Sequence, residues 1–171
     1  MKNLEIKSKC KDFKKIKLAI KRINAKYNGI LNQTDTYFPV KKGRLKMRVI
    51  NNKHYELICY HRANRKNERY SNYEIVNFKN GKEVLSLLSR SLNILCTIKK
   101  KRELYIYENV RIHLDTVQKL GKFIELEIVC RTKRDENEVH RKMNFLKREF
   151  RITGNNLVSV SYSDLLLSCA S

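Results

Sequence analysis

Glu125 and Glu127 stand two apart in the stretch Phe123 to Cys130, with Ile124, Leu126 and Ile128 at the alternate positions. In an extended strand both carboxylates lie on one face, with Cβ atoms about 7 Å apart. That spacing suits one hard divalent cation or a close pair, because Mg²⁺ takes carboxylate oxygens and completes its shell with water and phosphate oxygens. Other stretches carry cations in the same rhythm. Arg44, Lys46 and Arg48 share a face opposite Leu45, Met47 and Val49, and Lys100 shares a face with Arg102. Arg111, His113 and Asp115 form another set, as do Asn3, Glu5, Lys7 and Lys9. Arginine suits the bidentate grip of phosphate oxygens, so Arg44, Arg48, Arg102 and Arg111 are candidate phosphate ligands.

For any single strand, such a charged face ordinarily meets water. Several strands together suggest more. If the sheet closes into a barrel, one face of every strand points into the lumen. A lumen of like charges needs counterions. A triphosphate with a bound divalent metal supplies the anion and accounts for the carboxylates together.

The elements that must position these residues follow from periodicity. Alternation with period two marks eight stretches: Asn3 to Cys10, Arg44 to Ile50, Tyr55 to Arg62, Tyr73 to Phe78, Ile98 to Tyr107, Val110 to Asp115, Phe123 to Cys130 and Leu157 to Tyr162. Helical spacing marks three. Phe13, Ile16, Ala19, Ile20 and Ile23 follow Asp12 as N-cap, and Asn28-Gly29 ends the run. Val84, Leu87, Leu88 and Leu92 make a second stripe between Gly81 and Leu92. The third opens at Asp135, with Val139, Met143, Leu146 and Phe150, and Gly154 follows its end. The expected class is α+β: an antiparallel eight-stranded β-barrel with flanking helices. Without a repeat or a Pro/Ser/Gly linker, the 171 residues read as one domain over 1–171.

Hydrophobic residues make up 42% of the chain, enough for a core, and the formal net charge of +21 calls for an anionic partner or substrate. Cys10, Cys59, Cys96, Cys130 and Cys169 include no Cys-x-x-Cys pair, so they read as reduced thiols rather than a zinc site. With no signal-like or membrane-spanning run, a cytoplasmic protein without a membrane partner is expected. His54, His61, His113 and His140 have no metal-ligand spacing. His113, facing the proposed lumen beside Asp115, is a candidate donor to phosphate or a base.

Seven segments, in order, resemble the CYTH family, the group of class IV adenylate cyclases, thiamine triphosphatases and tripolyphosphatases also called triphosphate tunnel metalloenzymes. They are Asn-Leu-Glu-Ile-Lys (3–7), Gln-Thr-Asp-Thr-Tyr-Phe (33–38), Gly-Arg-Leu-Lys-Met-Arg (43–48), Lys-Lys-Arg-Glu-Leu-Tyr (100–105), Asn-Val-Arg-Ile-His-Leu-Asp (109–115), Leu-Gly-Lys-Phe-Ile-Glu-Leu-Glu (120–127) and Ser-Tyr-Ser-Asp-Leu-Leu (161–166). The overall look is nearest the class IV cyclase-like branch. The resemblance implies a triphosphate tunnel with Mg²⁺ or Mn²⁺. It makes Glu5, Asp115, Glu125 and Glu127 the metal set, and Glu5, Lys7, Glu125 and Glu127 the catalytic set. Lys7, Arg44, Lys46, Arg48, Lys100, Arg102 and Arg111 become phosphate ligands, and Lys9 joins them by sharing their face. Tyr60 and Arg62 match a Tyr-x-Arg strand end near the tunnel mouth, with Arg62 a further phosphate ligand, and Glu74 matches a Tyr-Glu strand. Asn3 departs from the family's Glu-x-Glu-x-Lys motif and removes one negative charge from the metal site.

The implied activity is hydrolysis of a triphosphate: inorganic tripolyphosphate, thiamine triphosphate or a nucleoside triphosphate such as ATP. The alternative is cyclisation of ATP to cyclic AMP and pyrophosphate, which also needs a base at the ribose 3′ hydroxyl. A third reading is a non-catalytic binder of triphosphates or RNA ends, supported by the charge and by stacking residues such as Tyr37, Tyr60 and Tyr70. RNA 5′-triphosphate would serve both readings. A homodimer is common in this kind of family. Tyr162 and Asp164 are expected to close the barrel or cap a turn.

Overall fold

Strands that carry charge on one side and aliphatics on the other can bury both sides only if the sheet closes. In the computed structural model, which describes residues 2–62, 68–130 and 136–169, it does. The elements in order are β1 (Lys2–Cys10), α1 (Lys14–Arg22), β2 (Lys26–Phe38), β3 (Arg44–Ile50), β4 (His54–Arg62), β5 (Arg69–Phe78), α2 (Gly81–Leu92), β6 (Cys96–Tyr107), β7 (Val110–Val117), β8 (Gly121–Cys130), α3 (Glu136–Glu149) and α4 (Tyr162–Ser168). The eight strands form one closed antiparallel barrel in the order β1-β5-β4-β3-β2-β6-β7-β8. The expected α+β barrel is the fold observed.

The main aliphatic core lies outside the barrel. Leu4 and Ile6 of β1, Ile112 and Leu114 of β7 and Ile124, Leu126 and Ile128 of β8 face outward, and α1 and α3 cover them with Ile16, Ile20, Val139, Met143 and Leu146. The alternate residues Asn3, Glu5 and Lys7 are equally buried, because they face the lumen. The polar faces of the helices stay wet: Lys11, Lys14, Lys15, Lys17 and Lys21 are exposed. Among the described residues, no helix is long and apolar enough to cross a membrane. The five cysteines are free thiols.

Three elements differ from expectation. β2 was not expected as a strand, although it is the longest, at 13 residues. Helix α1 stops earlier than Asn28-Gly29, at Arg22, and the left-handed φ of 56° at Asn24 turns the chain off the helical path. Asn28-Gly29 instead falls inside β2, where the register against β6 shifts between Tyr27 and Gly29. The stretch Leu157 to Tyr162 is no strand. It touches β1 only through a bridge from Leu157 to Ser8 and a hydrogen bond from the Val158 amide to the Lys7 carbonyl. It then turns into α4, capped by Ser161, whose hydroxyl accepts from the Asp164 amide while the Asp164 carboxylate accepts from the Ser161 amide.

Helix α2 sits where its stripe predicts but is poorly covered, with Leu87 57% exposed. Asp135, the expected start of α3, lies outside the described residues, and α3 is described from Glu136.

Candidate active site

Register aligns the charged residues in rows across neighbouring strands. Glu5 of β1 stands opposite Glu127 of β8, and Glu127 opposite Arg111 of β7. One step along, Lys7 stands opposite Glu125, and Glu125 opposite His113. Asp115 of β7 stands opposite Arg102 of β6. On the far side of the barrel, Asp35 of β2 stands opposite Arg48 of β3, and Tyr37 opposite Lys46. Among the described residues, the cations lining the resulting cavity are Lys7, Lys46, Arg48, Lys100, Arg102 and Arg111. Glu5, Asp35, Glu125 and Glu127 line it too.

Two clamps hold the cations. Arg48 grips Asp35 with two hydrogen bonds of 2.7 and 2.9 Å, and the Lys46 ammonium donates to the same carboxylate at 2.8 Å. Arg102 grips Asp115 at 2.7 and 2.6 Å and also donates to Glu125 at 2.8 Å. Asp115 accepts further from the Tyr162 hydroxyl at 3.0 Å and from Lys100 at 3.4 Å. Burial alone would push Asp35 up, but Arg48 and Lys46 outweigh it and hold the carboxyl well below the usual range. Asp115 is likewise driven down by Arg102 and Lys100 against the effect of burial.

The lysines bear the cost of this crowding. Burial, and then the neighbouring Arg48, bring the Lys46 ammonium down to about 7. Burial and Arg102 lower Lys100. The cations are therefore close enough to weaken one another's charge, and the internal carboxylates do not fully compensate them.

The carboxylates are not equally available to an added cation. Asp35 and Asp115 are enclosed by arginine. The oxygens of Asp115, expected among the metal ligands, are engaged by Arg102, Lys100 and Tyr162. Glu5 accepts from Arg69 at 2.9 Å. Glu125 accepts from Arg102 and lies 3.6 Å from the Lys7 ammonium. Glu127 is the least engaged, with Arg111 at 3.8 Å. Glu125 and Glu127 come together with His113, each offering a donor atom within 4.8 Å of the others. The His113 Nδ1 is buried and makes no hydrogen bond. An orphaned buried donor atom facing two carboxylates fits a divalent cation.

Several expected site residues lie elsewhere. Lys9 continues the lumen face of β1 but is exposed, because opposite it Phe123 packs on Tyr162 with ring centroids 5.0 Å apart and fills that end. Arg44 sits at the strand end outside the cavity lining, where it donates to Asp164 at 2.9 Å. Glu74 is exposed on the outer face of β5. The Arg62 side chain lies outside the described residues. Asn3 is buried at the lumen, its Oδ1 3.5 Å from the Tyr73 hydroxyl.

Sequence reasoning assigned no role to Asp35 or Arg69. Asp35 is the hub of the β2–β3 clamp, and only its place opposite Arg48 shows it. Arg69 holds Glu5 and donates to the Val158 carbonyl at 2.9 Å. Tyr162 does more than close the barrel: its ring lies 4.0 Å from the Lys7 ammonium and 5.1 Å from that of Lys100.

The backbone follows several solved structures along nearly its whole length. The PH1012 protein from Pyrococcus horikoshii OT3 superposes with a TM-score of 0.84 at 23% identity, covering 95% of this chain and 98% of that one. An adenylate cyclase candidate from Vibrio parahaemolyticus gives 0.77 at 17% identity, covering 96% and 97%. HpAC1 from Hippeastrum, an adenylyl cyclase candidate described with a dominant triphosphatase activity, gives 0.64 at 13% identity, covering 99% and 95%. At these identities the likeness is one of fold. Among curated proteins, none matches the sequence. The model of the CYTH domain matches residues 1–162, and the chain accordingly belongs to the CYTH domain family.

Proposed function

We propose that this protein is a divalent-metal-dependent enzyme that binds a triphosphate inside the barrel and hydrolyses it. The observation that carries this reading is the crowding of Lys46, Arg48, Lys100 and Arg102 around one cavity, with Lys46 brought down to about 7. A polyanion would stabilise such a cluster beyond what its internal carboxylates supply. A folded nucleic acid cannot enter a barrel interior; a linear chain of phosphates can.

Phosphoryl transfer asks mainly for position and charge compensation. Arg48 and Arg102, fixed by their aspartate clamps, present guanidinium edges that need not reorganise when phosphate arrives. Lys7, Lys46 and Lys100 supply further ammonium donors. Glu125 and Glu127, with His113, are the residues that would hold the cation, which would neutralise phosphate charge and lower the pKa of a bound water. Glu5, opposite Glu127, would accept a hydrogen bond from the attacking water. Attack by that water forms one P–O bond and breaks the bridging one. Tripolyphosphate then gives orthophosphate, pyrophosphate and a proton.

A second reading, cyclisation of ATP, is favoured by one feature. The cavity wall from β4 and β5 is apolar and aromatic, with Ile58, Tyr60, Tyr73 and Ile75. Tyr37, which lines the cavity, also borders a wider recess of about 840 Å³ lined by Phe38, Pro39 and His61. These surfaces offer room for the organic end of a nucleotide.

The deciding experiment incubates the protein with tripolyphosphate, thiamine triphosphate and ATP, each with Mg²⁺ or Mn²⁺, and measures orthophosphate, pyrophosphate and cyclic AMP. Orthophosphate release is the expected result. Cyclic AMP with pyrophosphate would replace hydrolysis by cyclisation. Tight binding without any product would make the protein a non-catalytic triphosphate binder.

A further inference from the structure

We propose that His113 is a nitrogen ligand to the divalent cation, and that it shifts the site's preference from Mg²⁺ toward first-row transition ions. The inference rests on the metal-dependent reading above and concerns which metal that site takes.

His113 projects from β7 into the row that holds Lys7 and Glu125. The residue is 3% exposed, so its ring has exchanged water for the protein interior. Its Nδ1 lies 3.7 Å from Glu125 Oε2 and 3.7 Å from Glu127 Oε1. Both distances are too long for a hydrogen bond. They are right for a shared ion: two ligands each about 2.1 Å from one centre sit roughly 3 to 4.2 Å apart. Buried polar atoms almost always have a partner, and this one has none among the described residues. A cation between the three groups would satisfy it. Ligation through Nδ1 needs the ring proton on Nε2, the tautomer in which Nδ1 carries a free lone pair.

The surroundings explain why a nitrogen donor matters here. Asp35 and Asp115 are enclosed by arginine, and Glu5 is held by Arg69. Asn3 contributes no charge to the β1 side of the site. Glu125 must share its oxygens with Arg102 and Lys7, and Glu127 has Arg111 nearby. A site with few free oxygens is a poor host for Mg²⁺, which wants an all-oxygen octahedron and gives up water reluctantly. Imidazole adds a softer ligand without negative charge, and affinity at such mixed sites rises from Mn²⁺ to Co²⁺.

The test uses the full chain, freed of metal with a chelator, in buffer without nitrogen ligands. Calorimetry measures binding of Mg²⁺, Mn²⁺ and Co²⁺ alone, and pulsed electron paramagnetic resonance of the Mn²⁺ form looks for modulation from a coordinated imidazole nitrogen. The expected order of affinity is Co²⁺, then Mn²⁺, then Mg²⁺, with imidazole modulation present. His113→Gln and His113→Asn, each confirmed folded by circular dichroism, should lose the modulation. They should weaken Co²⁺ by about tenfold or more and Mg²⁺ by less than about threefold. The wild-type spectrum needs no variant and keeps the test decisive if both variants misfold. Mn²⁺ bound without imidazole modulation would remove His113 from the ligand set while leaving the metal-dependent reading intact. If none of the three ions binds the folded chain, with or without tripolyphosphate, the metal-dependent reading fails and His113 falls with it.

Discussion

Lys46 is the residue through which the site should sense pH. Its ammonium is buried, repelled by Arg48 and brought down to about 7, below the ordinary lysine value of 10.5. Between those two values the unfolded chain carries a proton that the folded chain lacks. This group therefore makes the free protein more stable as pH rises across that window, and less stable as pH falls toward 7. A bound polyphosphate reverses the balance, because it favours the charged form. Binding tripolyphosphate at pH 8 should draw a proton from solution, and affinity should fall as pH rises above 7. Calorimetry in two buffers of different ionisation enthalpy reads the uptake directly; Lys46→Met should abolish it, and zero uptake in the unaltered protein would show that no phosphate reaches Lys46. The acidic side of the site gives a second prediction. Glu127 is the least engaged of the candidate ligands, so Glu127→Ala should cost more than about a hundredfold in turnover while leaving the fold intact. Full activity in that variant would remove the metal assignment.

At the level of elements, the unusual trait is a barrel with its salt bridges inside and its aliphatics outside. Met143 of α3 is fully buried against the outer wall, so Met143→Ala should lower stability by about 2–5 kcal/mol. Equilibrium unfolding in denaturant measures that loss. Turnover of the remaining folded protein should be unchanged, since α3 meets only the outer face of the barrel; a lost activity at full stability would place α3 in the site. Strict alternation is what made most strands legible in the sequence. Arg44, Lys46 and Arg48 of β3, Arg111, His113 and Asp115 of β7, and Glu125 and Glu127 of β8 alternate with aliphatic or sulfur side chains. β2 escaped because Thr34, Asp35 and Thr36 are polar on consecutive positions, and a polar run reads as a loop unless one knows that both faces are enclosed. The opposite error produced a strand at Leu157 to Tyr162, where alternation was real but Ser161 and Asp164 form the capping box that starts α4. The site was legible only as far as side chains share a strand. Glu125 and Glu127 do, so they were found. His113 belongs with them through the β7–β8 register, and Asp35 belongs with Arg48 through the β2–β3 register. No spacing along the chain encodes either pairing.

For the molecule as a whole, the 38 lysines and arginines include two groups in different places, one on the surface and one around the cavity. Lys11, Lys14, Lys15, Lys17 and Lys21 are exposed around α1, where solvent and salt screen them. Lys46, Arg48, Lys100 and Arg102 are enclosed, where salt screens them much less. The free barrel is thus held together by its outer core and its aspartate clamps against repulsion within. A ligand that binds only the folded form adds about 2.7 kcal/mol when present at a hundred times its dissociation constant. For a chain of this size each kcal/mol raises the midpoint by roughly 2–4 °C, so tripolyphosphate should raise it by about 5–11 °C. Sulfate at the same ionic strength should do far less, because one small anion meets fewer of these cations than a chain of three phosphates. The two places also differ in their response to salt. Thermal scans at low and at 0.5 M potassium chloride should preserve most of the tripolyphosphate shift if the anion sits among enclosed charges. A shift that vanishes with salt, or one that sulfate reproduces, would move the binding site to the lysines outside and empty the barrel of its proposed role.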